Sequence, residues 1–195
     1  GGGGHCVSVI DVIESLEAFR VVGIVDVQEK VGQYLSGYEV LATDKNIPEL
    51  ARKGGAFVVT MGQIKDPGHR IRVFSAVKDA GGRLPCVVSP NAILSSRAAV
   101  GEGTVIMHHA MVNSAAVIGK NCIINSKSLI EHHVTIGDHC HISTSAVVNG
   151  GVRIGEGSFI GSGAIVRENL FIGKKVVIGC GAAVTRDIES YKIIK

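Results

Sequence analysis

A chain of 195 residues that is 46% hydrophobic and only 4% aromatic can bury a substantial core, but it must build that core from Val, Ile and Ala rather than from rings. Its formal net charge of +3 is mild and its basic residues are scattered, which argues against a nucleic-acid partner; no run of about 18 uncharged apolar residues points to a membrane span. Five cysteines, an odd number and widely spaced, predict a reducing compartment, not a disulfide framework. No signal peptide is evident, and the chain opens on Gly1 without a Met, which leaves room for residues ahead of it.

The first element is a glycine tract, Gly1-Gly2-Gly3-Gly4-His5, leading into a helical pattern with Val7, Ile10, Val12, Ile13 and Leu16 apolar and Asp11, Glu14 and Glu17 polar. Unhindered backbone N–H groups at a helix start suit an anion such as a phosphate; a merely flexible glycine stretch fits these residues equally well. Val21 to Asp26 reads as a buried strand ending in a carboxylate, at the place where doubly wound folds put a ribose-binding acid, with an ordinary turn residue as the alternative for Asp26. A second strand is expected at Phe57–Thr60. A loop through Gly62, Gln63, Asp66, Pro67 and Gly68 follows, then a helix from Arg70 to Ala80 stopped by Gly81-Gly82. Residues 1–84 thus read as a small nucleotide-type α/β unit.

Over residues 85–195 the pattern changes. From Leu94 to Val184 every sixth residue is aliphatic without a break, and four places further on the residue is mostly small, as at Ala110, Ala116, Cys122, Ser128, Cys140 and Ala164, with Leu170 the large exception. A period of six fits neither a helix nor an ordinary strand; it describes a coil of short parallel strands whose aliphatic and small side chains stack inward as a column. The residue after each aliphatic is often Gly, Asn or Glu, which predicts that tight corners fall there. Cys122 and Cys140 are then buried thiols, and Cys180 faces outward.

Six of the eight histidines lie in the coil: His108, His109, His132, His133, His139 and His141. By phase none enters the column, so they are expected on faces and corners where neighbouring molecules meet. As a group they suggest a proton acceptor working near neutral pH. Zinc held between adjoining coils is the competing reading, but no His-x4-His pair is present, so no metal is expected.

Three segments together, Gly-Gly-Gly-Gly-His before a helix, Val-Gly-Ile-Val-Asp, and Asn-Ser-Lys-Ser-Leu-Ile-Glu-His-His-Val-Thr-Ile-Gly-Asp-His-Cys-His-Ile, resemble the NeuD/PglD-type sugar acyltransferases over nearly the whole chain. The resemblance implies a small Rossmann-like domain (1–84) followed by a left-handed parallel β-helix of hexapeptide repeats (85–195). It also implies a cytoplasmic bacterial homotrimer that uses acetyl-CoA as co-substrate. The reaction it implies is N-acetylation of a nucleotide-linked 4-amino-4,6-dideoxy sugar for a surface glycan, with O-acetylation of a sialic-acid-like sugar as the alternative. His132 matches the catalytic base, Asn125 an amide that places the acceptor, and His141 a histidine near the thioester. Gly150, Gly161 and Cys180 align with the CoA groove. Gly3, Gly4, His5, Asp26, Gly62 and Arg70 match the nucleotide-sugar site.

The chain departs from that family at one telling point. Members commonly carry Asp or Glu directly after the catalytic histidine, where the carboxylate raises its basicity; here the residue is His133. Either another carboxylate such as Glu131 or Asp138 replaces it, or the base is weaker and the acceptor differs. The family's usual Gly-x-Pro-Ala-Lys ending is also not reached by Lys195.

Overall fold

The computed structural model describes all 195 residues. The N-terminal part holds helix α1 (Gly4–Glu14), strands β1 (Ile24–Val25), β2 (Tyr34–Leu35) and β3 (Tyr38–Ala42), and helices α2 (Ile47–Arg52) and α3 (Gly68–Asp79). β1 runs parallel to β3, and β2 pairs antiparallel with β3, giving the order β1-β3-β2. The β2–β3 hairpin turns on Ser36-Gly37, both at positive φ (48° and 81°), the backbone that matches a two-residue turn to the twist of its strands.

Of two expected strands, one is shortened and the other does not form. Of Val21–Asp26 only Ile24–Val25 pairs, and Phe57–Thr60 forms no strand, its neighbourhood holding a single bridge between Ala56 and Arg83. A strand exists only through a partner, and Val21, Val22, Phe57 and Val59 instead line an apolar cavity of about 270 Å³. Helix α3 starts two residues before Arg70, where the Gly68 N–H donates to Asp66 Oδ1 (2.9 Å). It ends as expected: Gly81 takes φ of 73° and the Gly82 N–H returns to Val77 O (2.9 Å).

From Val87 onward the chain is a left-handed parallel β-helix of two-residue strands on three faces. The first face runs from Val87–Val88 through His141–Ile142 to Ile193–Ile194, the second from Ile93–Leu94 to Ala183–Val184, and the third from Ala99–Val100 to Phe171–Ile172. Ile123 pairs with Val105 on one side and His141 on the other, eighteen residues away each time, so three hexapeptides make one coil. The predicted column is its core, a continuous cluster of 25 buried residues. The polar members of the column are satisfied: Thr104 Oγ1 donates to Gly119 O and accepts from Cys122 N–H, and Ser158 Oγ does the same with Gly173 O and Val176 N–H. At the open first coil Leu94 remains partly exposed.

The corners correct one expectation. The left-handed backbone angle falls three places after each aliphatic, not one: Gly103, His109, Ala115, Asn121, Lys127, His133, His139, Ser145, Gly151, Gly157, Gly163, Asn169, Lys175 and Gly181 all have positive φ in an unbroken period of six. The glycines one place on have a different cause. At Gly137 a Cβ would sit 2.7 Å from the Glu156 backbone N, so glycine there allows consecutive coils to approach.

The N-terminal part lies on the first face. Val9 and Val12 of α1 pack on Val87, Val105 and Met107, and Phe74 of α3 meets the His139 ring edge-on at 5.5 Å. No helix is long and apolar enough to cross a membrane.

Candidate active site

Three corners run the length of the coil, and the second, between faces two and three, carries His132. The residue one coil beyond it is Gly150, where a Cβ would lie 2.6 Å from His132 Cε1 and 2.9 Å from Nε2. Glycine at 150 therefore lets the imidazole rest over the next coil with its Cε1–Nε2 edge downward. The ring opens on a polar cleft lined by Glu131, His133, Asn149, Gly150, Gly151, Glu168 and Asn169. His132 Nδ1 is 3.0 Å from His133 Nδ1, with the rings nearly perpendicular.

The two carboxylates that were alternatives for orienting His132 are engaged elsewhere. Glu131 Oε2 accepts from the His132 backbone N–H (3.2 Å) and from Asn113 Nδ2 (3.0 Å). Asp138 sits at the third corner, where Oδ1 accepts from Lys120 N–H (2.7 Å).

The first corner, between faces one and two, carries Asn125. Its Nδ2 donates to His141 Nε2 (3.1 Å), and His141 Nδ1–H donates to the Gln63 carbonyl (2.7 Å), which fixes the tautomer. Gly161 and the exposed Cys180 lie along the same corner, whereas Gly150 lies on the second. Burial holds His141 neutral, lowering its pKa to about 4, and burial with the nearby His141 and Arg70 does the same for His5, whose ring centroid is 6.5 Å from that of His141.

A third cluster joins the glycine tract to Asp26. The Asp26 carboxylate accepts from the Gly2 and Val27 N–H groups and from Lys30 Nζ (3.1 Å), which, against the opposing effect of burial, hold it below the usual range. Gly3 and Gly4 at the start of α1 are exposed, no side chain caps the helix, and its first turn carries no acidic residue. These N–H groups are open to an anion. Gly62 is exposed in the loop before α3.

Two expectations need correction. Arg70, expected among the ligand contacts, is 1% exposed. Its guanidinium donates to the carbonyls of Val59 (3.0 Å) and Met61 (2.6 Å) and to both Asn121 O and Oδ1 (2.8 Å each), tying α3 to the coil. Burial lowers its pKa to about 10, which leaves it charged at neutral pH. The coil histidines, expected to face neighbouring molecules, divide: His108 bonds Ser89 and Asp11, His139 accepts from Asn121 Nδ2, and His141 bonds Gln63, all beneath the chain's own N-terminal part. Phase places a side chain outward but cannot tell solvent from a second domain. The structural role of Asn121 was not legible, though its left-handed φ follows from the period once the corners are known.

Residues 1–76 match the family model for the PglD N-terminal domain, and 115–150 and 133–168 match that for the bacterial transferase hexapeptide repeats. PerB from Caulobacter crescentus, solved in complex with CoA and GDP-perosamine, superposes with a TM-score of 0.91 at 29% identity over 99% of this chain and 90% of PerB. The acetyltransferase domain of PglB from Neisseria gonorrhoeae, solved with acetyl coenzyme A, gives 0.90 at 28% identity over 97% of this chain and 90% of that one. This chain belongs to the NeuD/PglD-type sugar acyltransferases. WeeI from Acinetobacter baumannii shares the fold, with a TM-score of 0.89 at 22% identity over 100% of this chain and 94% of that one. No curated protein matches the sequence.

In this acyltransferase the neutral His141 makes the junction of its two parts acid-sensitive. An ordinary histidine titrates near 6.5 and this one near 4, so between those values the unfolded chain binds more protons and stability rises with pH. The contribution is complete above about 6.5 and lost as pH falls towards 4, of order 3 kcal/mol for the single group. Urea unfolding at pH 8, 6 and 4.5 is expected to show this loss, and His141→Gln to reduce it, the buried His5 keeping its own share; an unchanged slope in that variant would remove His141 as a cause.

Proposed function

We propose that this chain transfers the acetyl group of acetyl-CoA to the amine of a nucleotide-linked 4-amino-4,6-dideoxy sugar in bacterial surface-glycan synthesis, with His132 as general base. The observation that carries the reading is an exposed imidazole set over a glycine on the lining of an open polar cleft. CoA and GDP-perosamine in PerB, and acetyl-CoA in the PglB domain, support the substrates. As the amine nitrogen attacks the thioester carbon, the C–N bond forms, Nε2 takes the proton, the C–S bond breaks, and the proton passes to the departing sulfur. No covalent enzyme intermediate is required, and Cys122 and Cys140 stay in the core.

The open start of α1 beside Asp26 is the proposed cradle for the diphosphate and ribose of the acceptor, through Gly3, Gly4 and His5. Asn125 with His141 and His132 occupy different corners, separated within one chain by the second face. That face presents an outward ladder of Ile93, Met111, Leu129, Val147, Ile165 and Ala183, with Ile93 and Ile165 well exposed. An apolar strip uncovered in the chain supports a homotrimer whose clefts take CoA between corners of neighbouring copies, along Gly150, Gly161 and Cys180. Light scattering is expected to give three times the 20.3 kDa chain mass, and a monomer would rule out the shared cleft. Five free thiols support a cytoplasmic setting.

The chemistry is tested by treating the product with hydroxylamine. An acetylated nucleotide sugar that resists it carries an amide, as proposed; release of the acetyl group would identify an ester and the O-acetylation alternative.

A further inference from the structure

Resting on the reading of His132 as base, we infer that His133 is its positioning partner: His133 Nδ1 accepts the Nδ1–H of His132 and so keeps the Nε2 lone pair directed into the cleft. An imidazole carries one proton between two nitrogens, and a histidine with the proton on Nε2 has no free pair there to take another. Something must hold that proton on Nδ1. The only partner within hydrogen-bond distance of His132 Nδ1 is His133 Nδ1 at 3.0 Å. Glu131 is occupied by backbone and Asn113, and Asp138 lies at another corner.

The backbone explains how the side chain reaches. His133 is the left-handed corner residue of its hexapeptide (φ 59°), and its N–H is bound to Ser114 O (3.2 Å), so the corner is pinned to the preceding coil while the ring swings back towards His132. A neutral imidazole supplies the acceptor without a negative charge. It therefore fixes the tautomer, as a carboxylate would, but stabilises the imidazolium formed during proton transfer less. Glu168, lining the same cleft, is the one other acidic group on it besides Glu131.

The test uses variants suited to a left-handed corner. His133→Gly removes the ring without backbone strain, and His133→Asn and His133→Asp tolerate the same φ while restoring an oxygen acceptor. His133→Gly is expected to lower kcat about tenfold with both KM values unchanged, His133→Asn to recover most of that loss, and His133→Asp, which adds the negative charge, to reach or exceed the native rate. Nitrogen-15 spectra of the ring are expected to show His132 protonated at Nδ1 in the native protein and redistributed towards Nε2–H in His133→Gly. Unchanged kcat and tautomer in His133→Gly, with His132→Ala inactive, would overturn the positioning role alone; an active His132→Ala would overturn the base itself. A fall on Glu168→Gln with none on His133→Gly would move the role to Glu168.

Discussion

Replacing His132 by Ala is expected to lower kcat by about 10²–10⁴-fold, the range a positioned general base contributes, while KM for acetyl-CoA and for the sugar changes little. The reason is geometric. His132 is exposed at a corner, its ring packs in no core cluster, and its backbone O already accepts from Gly151 N–H (3.0 Å), so the substitution removes chemistry and leaves the coil intact. The residual rate would reflect binding of two substrates in one cleft. An unchanged melting temperature beside the lost turnover checks that the coil is sound. Equal kinetics in the two proteins would remove His132 from the mechanism.

The largest effect on stability is expected at Arg70. Replacing it with Met keeps much of the volume but leaves the carbonyls of Val59, Met61 and Asn121, and the Asn121 side-chain oxygen, without their donor inside a buried junction. Unsatisfied buried acceptors cost about 1–3 kcal/mol each before relaxation, so a loss of about 3–5 kcal/mol is expected, read from the urea midpoint. Arg70→Lys keeps the charge but cannot span two segments at once, and is expected to recover only part of it. A midpoint within about 0.5 kcal/mol of native in Arg70→Met would show that the junction relaxes around the gap.

The coil was legible because one aliphatic in six has a single structural explanation, and its core is the column read from Leu94 to Val184. The corners were misread by two positions: Gly is common one place after the aliphatic because coils touch there, whereas the left-handed residue three places on is as often His, Lys or Asn as Gly. Composition at a turn does not distinguish a steric need from a conformational one. Arg70 shows the same limit. A lone arginine at a helix start looks like an anion contact until the carbonyls that surround it are known, and three of those come from segments 9, 11 and 51 residues away. The β2–β3 hairpin went unread because its strands are short and its turn rests on Ser36-Gly37, a weak signal. The candidate residues could be named from the sequence but not their arrangement: His132, His133 and Gly150 meet at one corner, and Asn125 and His141 at another.

The most direct test of the account is release of the CoA thiol when native protein meets acetyl-CoA and a panel of UDP- and GDP-linked 4-amino-4,6-dideoxy sugars, with a free sialic acid alongside. Turnover is expected on a nucleotide-linked amino sugar and none on the free acid. Thiol release only with the sialic acid, or none with any amino sugar while acetyl-CoA still binds, would contradict it.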